Sequence, residues 1–458
     1  MMTKPTAQSG FTSVSNRIAY GLGDTGFLLV WQASALFLLY FYTDVLGIPA
    51  ALAGAIFLVA MIWDAVSDPL VAAWAERRAA RTGRYAPIMA GAALPVGLSF
   101  VAMFAVPASG PVLTAILALL AHLAFRTAFT FASMPYNTLP LRLSADSDER
   151  STLSGFRVAG AAIGGLAAAI CVPVIVLASG SEGVGYRVAA IVVGAVAALC
   201  LYLSARGCGE RVAVRESSRA RSLRGDLAGL WQGLRGNGPL QRLAGVMALG
   251  TIGYAFFTSS ALYFVNHVVG EPGLAAAFLA IPAFMTLLAA PLWVLVARRS
   301  SKRVALMSGL AVAVTGYLAL FAAPSAPVVV LLSAVAIAGL GGTAIPVMMW
   351  SMVPDALDYG SHHTGERIEA RAFGLLTFIQ KCATGLTLLA AGGLLAIAGY
   401  DADAGELTAS SRLAILAMTA GLPALFMAGI VLVVRRYPVS RETHRALTAA
   451  PHPPGGAL

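Results

Sequence analysis

Asp64 and Asp68 interrupt "FLVAMIWDAVSDPLVAAW", residues 57–74, a stretch otherwise apolar enough for the interior of a bilayer. Four residues apart on a helix, they share one face. A carboxylate at bilayer depth costs about 2.5–3.5 kcal/mol on insertion scales, and two side by side also repel each other. With hydroxyls nearby, such a pair makes an oxygen-rich site for a small hard cation. Binding neutralises the pair, so occupancy by sodium or a proton can be coupled to conformation. Ser67 is adjacent in sequence, and Thr130 is the hydroxyl that a neighbouring span would bring. The alternative for Asp68, which precedes Pro69, is to cap its helix or to pair with Arg77 or Arg81.

The other charges well inside apolar runs are Asp24, Arg126, Arg157 and Lys381. Arg126, Thr130, Ser133 and Asn137 recur at i, i+4, i+7 and i+11, one stripe down one helical face, and Thr377, Lys381 and Thr384 repeat the arrangement later in the chain. A single polar stripe on a membrane helix lines a transport cavity or belongs to a buried structural network. Trp31, Gln32 and Asp24 join Arg126, Ser133, Asn137, Thr377 and Lys381 as candidate substrate-binding residues. Arg157 is a candidate gate ion-pair partner, Lys381 balances the aspartates, and Asp24 reads equally as a gate or a packing acid.

These residues need elements to hold them. The chain has 458 residues, of which 58% are hydrophobic and only 11% charged. Soluble domains average about 25% charged residues, so this is an integral membrane protein. Apolar runs lie near 17–43, 49–74, 86–107, 112–140, 153–178, 185–205, 243–266, 273–297, 304–323, 326–352, 372–399 and 411–434, each long enough to span the roughly 30 Å of hydrocarbon. The fold class is all-α, with twelve transmembrane helices. A tail, 1–16, precedes a six-helix bundle, 17–205. A basic linker, 206–242, leads to a second bundle, 243–434, and a tail, 435–458. Arg and Lys crowd the N-terminus, the connections after spans 2, 4, 6, 8 and 10, and the C-terminus, so both termini are expected on the cytoplasmic side of the cell membrane. No cleaved leader is expected. In the linker, "LAGLWQGL" suits an interfacial helix.

The halves echo one another. Basic turns follow spans 2 and 8, and long connections with two prolines, acids and Glu-Arg are expected after spans 4 and 10. Two six-helix repeats are the layout of alternating-access carriers, with the site between them near mid-membrane. "IAGLGGTAIP" lacks GxxxxGK[ST], which argues against an ATP-driven pump. The four cysteines show no metal-ligand spacing, and nothing points to an enzyme, a cofactor or a nucleic-acid partner. The partners are a small solute, a coupling cation and the bilayer.

"YGLGDTG", "YFYTDVLG", "IWDAVSDPL", "MPYNTLP", "ERSTLSGFR", "VPDALDYG" and "FIQKCATG", in this order, resemble the glycoside–pentoside–hexuronide:cation symporters, the melibiose-permease-like branch of the major facilitator superfamily. The resemblance covers nearly the whole chain and is most specific at "WDAVSDP". It implies two pseudo-symmetric bundles, a monomer, and secondary active symport of a sugar-like solute with sodium or protons. The family's cation site matches Asp64, Asp68, Ser67 and Thr130, with Ser67 standing where an amide is usual. Its span 11 lysine matches Lys381, one turn after Thr377, and its span 5 arginine matches Arg157. The galactoside-binding carboxylates match Leu28 and Ser133, and the stacking Trp matches Asn137. Losing groups that grip sugar hydroxyls and ring faces argues against a neutral galactoside. Arg126, where the family has a small residue, suits an anionic solute such as a hexuronate or acidic glycoside, or else balances Asp64 and Asp68. Animal lysophosphatidylcholine symporters are more distant relatives, so a lysophospholipid carrier is the alternative within transport. A membrane sensor or structural protein is the alternative outside it.

Overall fold

The computed structural model describes residues 13–143, 147–210, 237–364, 369–402, 407–435 and 437. Among them, twelve helices are long and apolar enough to cross a membrane. The first half holds α1 (Val14–Val45), α2 (Ala50–Thr82), α3 (Ala86–Phe104), α4 (Pro111–Pro140), α5 (Gly155–Ala178) and α6 (Glu182–Gly207). The second holds α7 (Gly238–Val269), α8 (Pro272–Arg299), α9 (Lys302–Ala322), α10 (Val328–Leu357), α11 (Leu375–Ile397) and α12 (Ala409–Val434). Side-chain oxygens start several of them. Ser13, Ser181, Asn237, Ser301 and Thr408 accept from the backbone N–H groups of Asn16, Val184, Leu240, Val304 and Ser411. Such caps satisfy donors that have no partner inside the helix.

Packing repeats with a shift of six. α1 packs on α5 and α6, α2 on α4, and α3 on α4 and α6; α7 packs on α11 and α12, α8 on α10, and α9 on α10 and α12. Across the halves, α1 meets α7, α2 meets α11, and α5 meets α8. Small residues permit the tightest of these approaches. A Cβ built on Gly160 or Gly164 of α5 would lie 2.1 or 2.3 Å from the carbonyls of Gly21 or Thr25 on α1. In lipid, where apolar burial does not drive helices together, this close backbone contact is a main source of association.

The expected proline-rich connections after the fourth and tenth spans are instead mostly helix. One helix runs Pro111–Leu143 through Pro135 and Pro140, and the next begins at Ser147; Ala344–Thr364 likewise runs through Pro354. Buried membrane helices tolerate proline because neighbouring groups re-satisfy the freed backbone. The linker residues 211–236, including the expected interfacial helix, and the tails 1–12 and 438–458 lie outside the described residues. Where the chain leaves α6, the Glu210 carboxylate accepts from Tyr85 N–H (2.8 Å) and Ala86 N–H (2.6 Å), pinning this end of α6 to the start of α3. The negative charge also suits the positive end of that helix.

Candidate functional site

α2 and α4 bring Thr130 to the acid pair, and α11 brings Lys381. Thr130 Oγ1 donates to Asp68 Oδ1 at 2.9 Å. Lys381, on α11 of the other half, is ion-paired with Asp68 and lies 3.8 Å from Asp64 Oδ2. Arg126 Nη1 pairs with Asp64 Oδ2 at 3.1 Å. Two carboxylates thus face two cations, one from each half of the molecule. Arg77 and Arg81 are exposed, and the contacts of Asp68 go to Lys381 and Thr130 instead. A rise of 1.5 Å per residue puts Arg77 and Arg81 roughly 14 and 20 Å along α2 from Asp68, beyond reach of its carboxylate.

Arg126 does not open onto a cavity, as a substrate anchor would. It is buried, its Nε donates to His122 Nε2 at 3.3 Å, and its guanidinium lies 4.6 Å from the Trp31 ring centre. The stripe on α4 grades from buried Arg126 and Thr130 to half-buried Ser133 and exposed Asn137. The contacts of Arg126 are thus with Asp64, His122 and Trp31. Two buried side-chain oxygens of α2, Asp64 Oδ1 and Ser67 Oγ, have no hydrogen-bond partner. With Asp68 and Thr130 they make the kind of hard-oxygen donor set that a small cation requires.

Asp24, Arg157 and Asn137 form a second cluster, within the first half rather than across the halves. Arg157 Nε donates to Asp24 Oδ2 at 2.5 Å and Nη2 donates to Asn137 Oδ1 at 3.3 Å, with the guanidinium 5.0 Å from the Tyr136 ring centre. Gln32 Nε2 reaches across the halves to Tyr254 Oη at 3.2 Å. Thr377 is exposed one turn before Lys381.

A third polar cluster seals the halves together at the end remote from the Arg77 and Arg81 turn. His267 Nε2 lies 2.9 Å from Asp44 Oδ1, and Tyr400 Oη donates to the same oxygen at 2.5 Å. Asn266 Nδ2 donates to Tyr40 Oη at 3.0 Å, and Thr43 Oγ1 meets Tyr263 Oη at 2.5 Å. Burial and the Asp44 carboxylate push the Tyr400 hydroxyl well above its ordinary pKa, so it stays a donor to Asp44. This latch is pseudo-symmetric. Phe41–Val45 and Phe264–Val269 are both π-helical turns ending α1 and α7, and Gly47 and Gly270 follow at φ 66° and 77°. Tyr40 matches Tyr263, Thr43 matches Asn266, and Asp44 matches His267. Each tyrosine therefore bonds the equivalent of its partner's partner, as in an isologous dimer contact.

Residues 19–441 match the family described as MFS/sugar transport protein. The chain belongs to that family. As a major facilitator it is a multi-pass membrane transporter and not an enzyme, and the sensor or structural alternative gives way. It is 28% identical over 443 residues to the putative glycoside/cation symporter YagG of Escherichia coli (strain K12), covering 95% of this chain and 94% of the relative. It is 27% identical to the glucuronide carrier protein homolog of the same organism, covering 94% and 93%. Among solved structures, a bacterial homolog of the human lysosomal transporter Spinster superposes with TM-score 0.66 over 95% of this chain and 98% of that one, at 15% identity, a likeness of fold alone.

Three parts of this facilitator lie outside the residues singled out from the sequence. The latch residues were one; the signal for them was the repeat "YFYTDVLG" and "YFVNHVVG", with Asp44 and His267 offset by 223 residues. His122 was another, although it stands one turn before Arg126 on the same stripe. Trp63 was the third: its Nε1 donates to Thr127 Oγ1 at 2.8 Å, tying α2 to α4 beside the acids.

Proposed function

We propose that this facilitator couples entry of a monovalent cation, sodium or a proton, to symport of a sugar-like solute by alternating access of its two halves. The observation that carries the reading is the Asp64–Asp68 couple, held by a lysine from the opposite half. A cation arriving among Asp68, Thr130, Ser67 and Asp64 takes over the charge that Lys381 balances. Lys381 is then released, and with it a polar tie between α2 and α11. Cation occupancy and the relative position of the halves are in this way linked through one contact.

The solute enters between the halves, past Ser133, Asn137, Asp24, Trp31, Gln32, Thr377 and Lys381. YagG is named a putative glycoside/cation symporter and the other relative a glucuronide carrier homolog, which supports glycosides and hexuronides as the solute class. An anionic solute would meet Lys381 and Arg157, whose side chains are 23% and 33% exposed, rather than the enclosed Arg126. The chain acts as a monomer in the cell membrane with both termini cytoplasmic.

Ligands that bind the folded state and not the unfolded one stabilise it by RT ln(1 + L/Kd), where L is the free ligand concentration, so its melting temperature climbs with L. The melting temperature of the purified protein is expected to rise with NaCl relative to choline chloride, or on acidification, and further on adding a glycoside, pentoside or hexuronate. A rise with lysophosphatidylcholine and none with the sugars would favour the lysophospholipid alternative.

A further inference from the structure

We infer that Arg126 is a built-in counter-ion that removes the charge of Asp64 from the exchangeable cation site, leaving Asp68 as the carboxylate whose partner changes. The inference rests on the proposed coupling and deepens it. The two acids are held very differently. The Asp64 and Arg126 side chains are each only 5% exposed and 3.1 Å apart. Arg126 is also enclosed by His122 at 3.3 Å and by the Trp31 ring at 4.6 Å. His122 is itself fully buried, edge-on to Phe57, and accepts at Nε2 from Arg126 Nε. An imidazole accepting there carries its one proton on Nδ1 and is neutral, so the charge beside Asp64 comes from the guanidinium at 3.1 Å and, farther off, from Lys381 at 3.8 Å. Separating such a pair would strand two charges away from water.

Asp68 is held more loosely. Its side chain is 19% exposed, that of Lys381 is 23% exposed, and the two belong to halves that move relative to each other in alternating access. Partner exchange is therefore easy at Asp68 and hard at Asp64. Asp64 still offers Oδ1, which lacks a hydrogen-bond partner, as an oxygen ligand. Its charge is already matched by Arg126. The incoming cation replaces Lys381 and not Arg126, so the site takes one monovalent cation.

A set of four proteins tests this: wild type, Arg126→Gln, Asp64→Asn and the double variant. The readout is the apparent dissociation constant fitted to the rise of melting temperature with NaCl, with LiCl and with acidification, choline chloride being the control. Asp64→Asn leaves the guanidinium unbalanced beside the site and abolishes the response. Adding Arg126→Gln to Asp64→Asn restores it, because the net charge returns to that of wild type. Arg126→Gln alone makes the site more negative by one charge a few ångströms away and tightens the cation roughly 10- to 100-fold. A double variant as unresponsive as Asp64→Asn overturns the inference, since the Asp64 carboxylate itself is then required. An Arg126→Gln affinity equal to or weaker than that of wild type overturns it too. A wild-type protein indifferent to every cation overturns the coupling reading and this inference with it.

Discussion

Gly392→Ala opens the latch end of the molecule. Gly392 sits on α11 where it crosses α2, and a Cβ there would stand 2.1 Å from the Ala50 carbonyl oxygen and 3.1 Å from Gly54 Cα. Gly54 is packed as closely in return, its own added Cβ falling 2.8 Å from the Leu388 carbonyl. Both neighbours are backbone, so no side chain can swing aside and the helices themselves must separate. Overpacking of this kind costs typically about 1–3 kcal/mol. The strain exists only while the halves are closed at this end, so it falls on one conformation of the cycle. Each 1.4 kcal/mol is tenfold in population, so the closed state loses roughly 5- to 150-fold. Pulsed electron resonance between spin labels at Leu46 and Val269, in a cysteine-free background, reads the result as a shift to longer distances. Unchanged distances would mean that α2 and α11 do not govern closure.

Arg157→Ala destabilises the fold by roughly 2–3 kcal/mol, at the lower side of what breaking a buried pair costs because Arg157 is partly exposed. Asp24 is the reason. Its side chain is 7% exposed and its Oδ2 takes Arg157 Nε at 2.5 Å, so removing the cation strands a carboxylate between α1 and α5. The same substitution removes the bond to Asn137 and the contact with the Tyr136 ring, loosening α4 as well. Denaturation in detergent reads the loss. Asp24→Asn/Arg157→Gln, which strands no charge, recovers most of it; equal destabilisation by both would show that packing and not charge holds these helices.

How much of this was legible in the residues depends on the range of the interaction. The twelve helices follow from continuous apolar runs of about twenty residues, because only a helix satisfies the backbone of such a run within the run itself. Asp64 and Asp68 share a face because of their spacing on α2, whereas the approach of Thr130 from α4 is a tertiary contact that spacing does not fix. The stripe on α4 left a wet cavity and a buried network both open, because periodicity reports direction and not depth. Arg126 points along the stripe and is nonetheless sealed behind Trp31 and His122. Asp24 and Arg157 read as separate candidates because they stand 133 positions apart, and only the glycine-mediated approach of α5 to α1 pairs them. The latch was harder still. Asp44 and His267 stand at the ends of apolar runs, where a polar residue is ordinary, and their meaning emerges when the two halves are laid over each other.

The most direct measurement is solute accumulation in proteoliposomes. A panel of radiolabelled glycosides, pentosides and hexuronates is offered under an inward gradient of sodium or protons, with wild type beside Asp68→Asn. The account predicts uphill accumulation of at least one solute by wild type, its collapse when an ionophore dissipates the gradient, and none by Asp68→Asn. Accumulation by wild type that survives the ionophore, or by Asp68→Asn to the wild-type level, would contradict it.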